Sequence, residues 1–280
     1  MDLSFEAAPS PRAYNTIAEL VYQHSRIKLG DDKQALLANR LRTRLRDLGL
    51  GSYDEYCDLL QSRSGDEEIS RLVDLISTNH TKFFREPEHF TFLSETILPE
   101  LVPRLREEGS PLRIWSAAAS SGEEPYTLAI VLAEFLRAQP PLPWQITGSD
   151  ISQRALAKAR QGIYRDEALE PVPDHLKKRY FQQGTGPREG SCRIKPELAR
   201  HVHFEAINLF QPEYQLPAAI EVIFCRNVMI YFDAPSRGGL LRQLTSHLAP
   251  GGYLFVGKAE SLFGLTHALE NVQHSVYRKP

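Results

Sequence analysis

The sequence predicts an α/β fold whose sheet grows from βαβ units, preceded by an all-helical N-terminal domain and carrying a small antiparallel β insertion. Three observations predict it. Helical periodicity runs from 13 to 77, punctuated by Gly30, Gly49-Leu50-Gly51 and Gly65. Farther along, short apolar runs such as Ile220-Glu221-Val222-Ile223-Phe224-Cys225 alternate with helical patterns, as in an α/β sheet. Between 171 and 196 that rhythm breaks, and Gly184, Gly186 and Gly190 separate short stretches of strand character.

Residues 1–10 read as a loose tail, and 1–77 as one domain. Ile17, Leu20, Val21 and His24 mark a first helix; Leu36, Leu37, Leu41, Leu45 and Leu48 mark a second. Tyr53, Tyr56, Leu59 and Leu60 give a third, and Ile69, Leu72, Val73 and Ile76 a fourth. The second helix carries Lys33, Arg40, Arg42, Arg44 and Arg46 before its first acid, Asp47. Arg40 and Arg44 share one face, Arg42 and Arg46 another. That pattern suits a solvated helix whose long side chains flank the apolar stripe, or a docking surface for an acidic partner.

A linker, 78–90, follows. Ser77-Thr78-Asn79-His80-Thr81-Lys82-Phe83-Phe84-Arg85-Glu86-Pro87 packs polar side chains, two aromatics and an arginine into one connector. It is either a helix cap with an aromatic anchor or a segment that closes over a ligand. The remainder, 91–280, begins with a helical pattern over 88–107 that Pro99 and Pro103 should break or kink.

The chain is organised around Arg113-Ile114-Trp115-Ser116-Ala117-Ala118-Ala119-Ser120-Ser121-Gly122-Glu123-Glu124-Pro125-Tyr126-Thr127. It predicts a buried strand, a turn of small residues and a helix entry, with Pro125 in the first helical turn. Small side chains let a ligand approach the backbone, and the carboxyl end of such a strand is where α/β sheets bind ligands. The same turn could simply pack a helix closely on a sheet. Glu123 and Glu124 would repel a phosphate at this helix entry, and Gly-x-Gly-x-x-Gly is absent. A ligand with a sulfonium and an ammonium suits it better, which favours S-adenosylmethionine over a dinucleotide.

The helix continues over 128–138, and Trp144-Gln145-Ile146-Thr147-Gly148-Ser149-Asp150 is a second strand ending in an acid. Asp150 either grips ribose hydroxyls or caps the helix at 153–160. In the insertion, 180–182 and 191–194 read as strands joined by hairpin turns, whose edge is idle or accepts a peptide. Strands follow at 201–206 and 220–225, then a helix entered through Gly238-Gly239 and running to Leu248. A closing antiparallel pair is expected at 253–257 and 276–279.

Composition narrows the function. At 280 residues the chain can bury a large domain and a smaller one. A net charge of −2 gives no reason to expect nucleic-acid binding. No apolar run approaches the roughly 20 residues of a membrane span, so direct membrane insertion is not expected. Cys57, Cys192 and Cys225 are an odd, scattered set that suits a reducing cytoplasm. The His and Cys positions offer no zinc-ligand spacing, so no metal is expected.

Four motifs resemble the CheR-type chemotaxis receptor methyltransferases. They are Thr78-Asn79-His80-Thr81-Lys82-Phe83-Phe84-Arg85, Ser121-Gly122-Glu123-Glu124-Pro125-Tyr126, Cys225-Arg226-Asn227-Val228-Met229-Ile230-Tyr231-Phe232 and Gly257-Lys258-Ala259-Glu260-Ser261-Leu262. The likeness extends from about residue 13 to the C-terminus. It implies a Rossmann-like S-adenosylmethionine-dependent methyltransferase domain with an inserted antiparallel subdomain. It implies that Asn79, Thr81, Arg85, Glu124, Asp150, Asn208, Leu209, Asn227 and Val228 line the cofactor site, with Arg85 and Tyr231 nearest the chemistry. The implied reaction is methylation of glutamate carboxylates on the cytoplasmic helices of chemoreceptors, releasing S-adenosylhomocysteine. Arg40, Arg44 and Arg46 would then meet receptor helices. Gly184, Gly186 and Arg193 resemble the form of the insertion that binds a receptor C-terminal tether peptide, although Gln183 replaces an expected basic residue. Gly257-Lys258 likewise replaces the commoner Gly-His. Two rival functions use the same fold. A nucleic-acid methyltransferase would show an Asn/Asp-Pro-Pro-aromatic signature that Asn227-Val228 lacks, and a non-catalytic S-adenosylmethionine-binding module would form no product.

Overall fold

A computed structural model describes residues 8–63, 65–217 and 219–280; most of the tail expected over residues 1–10 lies outside them. The chain divides into two units: the residues up to Thr78 together with Tyr231–Ser236, and Asn79–Ile230 together with Arg237–Pro280.

The first unit is helical. Ser10 caps α1 (Pro11–Ser25) by accepting the Ala13 N–H at 3.1 Å, and Pro11 takes the first-turn position where no donor is needed. A 3₁₀ turn, Asp31–Lys33, precedes α2 (Gln34–Leu48), which stops at Gly49 in the left-handed region. α3 (Tyr53–Gln61) is capped by Ser52, and α4 (Gly65–Ile76) completes the set. Leu37, Leu41 and Leu45 recur every four residues and are fully buried with Ile17, Val21, Tyr53, Tyr56 and Leu72. Tyr231–Ser236 packs here too: the Lys28 N–H donates to Tyr231 O at 3.2 Å, and the Tyr22 hydroxyl to Asp233 Oδ2 at 2.6 Å.

Two arginines of α2 are committed inside this unit. Arg44 donates its Nε to Glu68 Oε1 at 2.9 Å and also pairs through Nη2, while the Tyr56 hydroxyl reaches the same Oε1 at 2.9 Å. Burial pushes Glu68 up, but the donors from Arg44 and Tyr56 outweigh it and hold the carboxyl below the usual range. Arg40 Nη1 spans the last carbonyls of α4, Leu75 O at 3.2 Å and Ile76 O, and reaches Ser77 O at 3.1 Å, a helix end that favours a cation. The reading of Arg40 and Arg44 as a free docking face is therefore corrected, whereas Arg42 and Arg46 are exposed.

The second unit opens with α5 (Pro87–Phe92), a π turn (Leu93–Ile97) and α6 (Leu98–Glu108). The Leu98 N–H reaches back five residues to Leu93 O. This interruption lies just before Pro99, whose ring would press on the carbonyl of Glu95 in a regular turn. Then come β1 (Leu112–Ala117), α7 (Glu123–Leu136), β2 (Trp144–Asp150) and α8 (Gln153–Gln161). The inserted region holds β3 (Ile163–Arg165), α9 (Asp174–Tyr180), β4 (Phe181–Gln183), β5 (Ser191–Ile194) and α10 (Pro196–Ala199). The main sheet resumes with β6 (Val202–Ala206) and β7 (Ile220–Cys225), then α11 (Ala234–His247), β8 (Leu248–Val256), β9 (Glu270–Gln273) and β10 (Val276–Arg278).

The seven-stranded sheet has the order β6-β2-β1-β7-β8-β10-β9, parallel from β6 to β8 and antiparallel at β10 and β9. The chain leaves β1 toward β2 on one side and returns to β7 on the other. The carboxyl ends of β1 and β7 thus flank the switch in strand order, where open α/β sheets bind ligands. Trp115, Ile114, Ile146, Val222, Ile223 and Phe224 are buried along these strands, as continuous apolar runs require.

Three local expectations change. The small sheet, in the order β3-β5-β4, starts at Ile163 rather than after 171, because three residues suffice once Tyr164 is buried under Phe83. α11 begins at Ala234 and contains Gly238 and Gly239, since Asp233 caps it by accepting the Ser236 N–H at 2.9 Å. β8 pairs on both edges, and the unexpected β9 adds a strand beyond β10.

Arg44→Ala should destabilise the protein by about 2 kcal/mol in urea unfolding, because it leaves the Glu68 carboxylate without its cation. Arg46→Ala should shift stability by less than about 0.5 kcal/mol. Equal shifts would contradict the structural role of Arg44.

Candidate active site

The loops after β1, β2, β7 and β8 and the segment 79–86 meet at the carboxyl end of the sheet. After β1 the chain turns through Ala118, Ser120 and Gly122 at φ of 64°, 51° and 95°. Gly122 is needed twice over: its φ is left-handed, and a Cβ would stand 2.9 Å from both Ala159 Cβ and Tyr164 Oη. Asp150 holds this turn to the end of β2. Its Oδ2 accepts the Ser120 N–H at 2.8 Å, and its Oδ1 accepts the Ser152 N–H at 2.9 Å. Ser152, not Asp150, caps α8. Asn79 lies against the same turn, its Nδ2 donating to Ser152 Oγ at 3.2 Å and its carbonyl accepting from Ser120 Oγ at 3.1 Å. Thr81 is half-buried in the same segment.

The segment continues through Phe83, which is fully buried edge-on to Tyr164 and Phe181 at 5.0 and 5.5 Å. Phe84 and Glu86 take φ of 52° and 57° on either side of Arg85, whose Nη1 donates to His80 O at 3.0 Å. Beneath them lies Arg226, its side chain 1% exposed. It donates Nη1 to Glu124 Oε2 at 2.9 Å, and Nη2 to Glu86 Oε2 at 2.9 Å and to Arg85 O at 2.5 Å. Phe90 and Phe224 present their rings to its guanidinium at 5.5 and 5.7 Å.

Neither glutamate at the start of α7 is turned freely toward a ligand. Glu124 accepts from Ser116 Oγ at 2.7 Å besides Arg226, and Glu123 accepts from Ser121 Oγ at 2.7 Å. Burial pushes both carboxyls above the usual range, opposed at Glu124 by Arg226 and at Glu123 by Ser121.

A second acid, Glu260, organises the far side. Its Oε2 accepts the Gly257 N–H at 2.6 Å and the Asn227 N–H at 2.8 Å, and its Oε1 accepts the Ile230 N–H at 3.3 Å. Asn227, at φ 58°, also donates Nδ2 to Glu86 Oε1 at 3.1 Å. Val228 is half-buried beside it. Asn208 Oδ1 accepts the Phe210 N–H at 3.0 Å in the loop after β6, and Leu209 O accepts the Tyr214 hydroxyl at 2.5 Å.

The hydrogen bonds of the second unit thus form two groups, one joining Asn79 to Asp150 through Ser120 and Ser152, the other joining Arg85, Glu124 and Asn227 through Arg226 and Glu86. Tyr231 belongs to the first unit and is not among them. In the insertion, Gly184 leaves no room for a Cβ, which would stand 2.0 Å from Arg188 O; Gly186 is left-handed and Arg193 exposed. Gln183 is tied down by Asp166 and Cys192 at 2.9 Å each. The residues that the motifs contained without revealing their role are Arg226 and Glu260.

This cradle fits a nucleoside. A small-residue turn admits a ligand close to the backbone, and Asp150 stands at the end of β2, where an acid takes ribose hydroxyls in such folds. Comparison with known proteins agrees. Residues 79–278 match the family described as "CheR methyltransferase, SAM binding domain", and residues 12–77 match "CheR methyltransferase, all-alpha domain". The chain belongs to the CheR methyltransferase family. Relatives within reach include the chemotaxis protein methyltransferase of Salmonella typhimurium, 39% identical over 99% of this chain and 93% of the relative. Chemotaxis protein methyltransferase 2 of Pseudomonas aeruginosa is 42% identical over 94% of this chain and 91% of the relative. This CheR-family chain therefore has a Rossmann-like methyltransferase domain whose cofactor is S-adenosylmethionine.

Two predictions follow from the frame. Arg226→Met leaves Glu124 and Glu86 buried without a cation and should cost about 3 kcal/mol in urea unfolding; a loss below about 1 kcal/mol would contradict its role. His89, buried edge-on to Phe255 and 3.5 Å from Glu86, is pushed down to about 4 by burial and by Arg226. Unfolded, it titrates near about 6.5, so as pH falls the unfolded chain takes the proton first. Its contribution is complete above about pH 6.5 and declines between about 6.5 and 4, by up to about 3 kcal/mol. His89→Phe should flatten that part of the stability profile, and an unchanged slope would exclude His89 as its source.

Proposed function

We propose that this chain transfers the methyl group of S-adenosylmethionine to glutamate carboxylates on the cytoplasmic helices of chemoreceptors, giving γ-glutamyl methyl esters. The two relatives quoted, both named as chemotaxis protein methyltransferases and matched nearly end to end, support methyl transfer within chemotaxis and so a chemoreceptor as partner. The observation that carries the choice of acceptor is the state of the acids around Arg85. Glu86, Glu124 and Glu260 are each occupied by donors from the frame, so none is arranged as a general base. A glutamate acceptor needs none, because its carboxyl is ionised well below pH 7, at a pKa of about 4.3.

S-adenosylmethionine supplies an electrophilic methyl on a sulfonium. Asp150 takes the ribose hydroxyls, and Asn79, Thr81, Glu124, Asn208, Leu209, Asn227 and Val228 line the rest of the cofactor site. Arg85 holds the incoming carboxylate. Rate enhancement then comes mainly from alignment and from exclusion of water. Arg46 engages receptor helices. The edge of the small sheet, with Gly184, Gly186 and Arg193, takes a receptor tether peptide by strand addition. The setting is cytoplasmic. Three free, buried cysteines fit it, and no helix among the described residues is long and apolar enough to cross a membrane.

Labelled methyl should pass to chemoreceptor-containing membranes and be released by mild alkali as methanol; alkali-stable label would refute ester formation. Arg85→Ala should lower turnover by about 100-fold while cofactor remains bound, comparable to losing a group that positions the nucleophile. Asp150→Ala should weaken cofactor affinity about 10-fold or more by calorimetry, and unchanged affinity would remove Asp150 from the site.

A further inference from the structure

Glu86 follows Arg85 in the chain, and its side chain is 14% exposed. Its Oε2 accepts Arg226 Nη2 at 2.9 Å and the Lys258 N–H at 3.2 Å, and its Oε1 accepts Asn227 Nδ2 at 3.1 Å. Burial pushes this carboxyl up, but the donors from Arg226, Asn227 and the Lys258 backbone outweigh it and hold it below the usual range. The nitrogen of Arg226 that reaches Glu86 also reaches Arg85 O at 2.5 Å. Arg85 is thereby pinned at its own carbonyl and, one residue on, by the Glu86 side chain. Phe84 and Glu86 hold left-handed backbone at φ 52° and 57°, a conformation that persists only where the surroundings enforce it. Opposite them Asn227, itself at φ 58°, has its N–H held by Glu260 and its side-chain amide held by Glu86.

We infer that Glu86 is a positioning residue for methyl transfer, a bridge that fixes the segment carrying Arg85 against Asn227. This rests on the proposed roles of Arg85 at the acceptor carboxylate and of Asn227 at the cofactor. In-line transfer needs nucleophile, methyl and sulfur aligned, and a displacement of about 1 Å caused by a change away from the chemistry can cost about 100-fold in rate. Arg226 spends its donors on Glu124, Glu86 and Arg85, so the step to the Asn227 side chain is made by Glu86. One carboxylate, engaged through both oxygens, thus ties the holder of the acceptor to a residue that lines the cofactor. The Asp150 group lies outside this bridge, since its hydrogen bonds run through Ser120 and Ser152. Alignment and cofactor affinity are therefore separable.

The test uses the full chain, with alkali-labile methyl transfer to chemoreceptor membranes, calorimetric binding of S-adenosylmethionine and urea unfolding measured for each variant. Glu86→Ala removes the bridge and should lower kcat by about 100-fold, with much smaller changes in receptor KM and cofactor affinity. Glu86→Gln keeps it: the amide oxygen accepts from Arg226, and the amide N–H donates to Asn227 Oδ1 once that side chain turns over. It should recover at least about 10-fold of the rate. Lacking the charge beside Arg226, it should nevertheless lose stability as Glu86→Ala does. Rate should thus follow the bridge and not stability, and equal rates for the two variants, or rates in step with stability, overturn the inference. In an Arg85→Ala chain, Glu86→Ala should cost little more, because it acts through Arg85; full additivity overturns the inference too. If Glu86→Ala does not fold, Glu86→Asp, one methylene short of both partners, replaces it under the same expectations. If the parent forms no alkali-labile ester, the proposed reaction fails, and amide hydrogen exchange over 84–88 decides the bridge. Glu86→Ala should then exchange faster there than the parent and Glu86→Gln, and equal exchange overturns the inference.

Discussion

The guanidinium of Arg226 is the constraint on which the catalytic unit depends. It projects from the end of β7 and satisfies a glutamate from α7, a glutamate from the segment before α5 and the carbonyl of Arg85. Taking a cation out of water is costly, and two carboxylates with a carbonyl offset that cost only when all hold their places. The arrangement thereby ties Arg85 to the central strand through its backbone, while its own side chain donates to His80 O. Glu260 does the converse with an anion, gathering three backbone N–H groups from the loops after β7 and β8. Between them these two groups set the rim.

The fold class was legible in the sequence because its strongest signals are local. Buried strands read as continuous apolar runs, and the helical unit reads as repeated leucine spacing. The cradle was legible for the same reason: Gly122 and the small residues before it announce a close backbone approach. What escaped were elements defined by their partners. Ile163-Tyr164-Arg165 is a strand because β5 lies beside it, and Glu270-Asn271-Val272-Gln273 because β10 does. Arg226 and Glu260 stood inside quoted motifs, yet nothing along the chain shows that residues 34 positions apart meet at Asn227.

The basic helix shows the opposite error. Charge spacing alone cannot separate a cation turned to solvent from one spent on a neighbouring helix. Arg40 and Arg44 face α4, where helix-end carbonyls and Glu68 receive them. Arg42 and Arg46, on the other face, remain exposed. A helix of the same composition thus serves internal cohesion along one edge and solvent along the other.

Phe84, Glu86, Ala118, Ser120 and Asn227 all occupy left-handed backbone, at φ between 51° and 64°. Each such residue costs on the order of 1 kcal/mol, and a β-branched side chain would cost more. The backbone itself therefore disfavours β-branched residues at 118, 120 and 227, while Phe84 and Glu86 show that larger unbranched side chains are accepted at the same angles. The small side chains of the cradle answer to two demands at once, room for a ligand and tolerance of a reversed turn. Mutational surveys that score substitutions by ligand contact alone would misassign these positions, since isoleucine or valine there carries a backbone cost whether or not a ligand is bound.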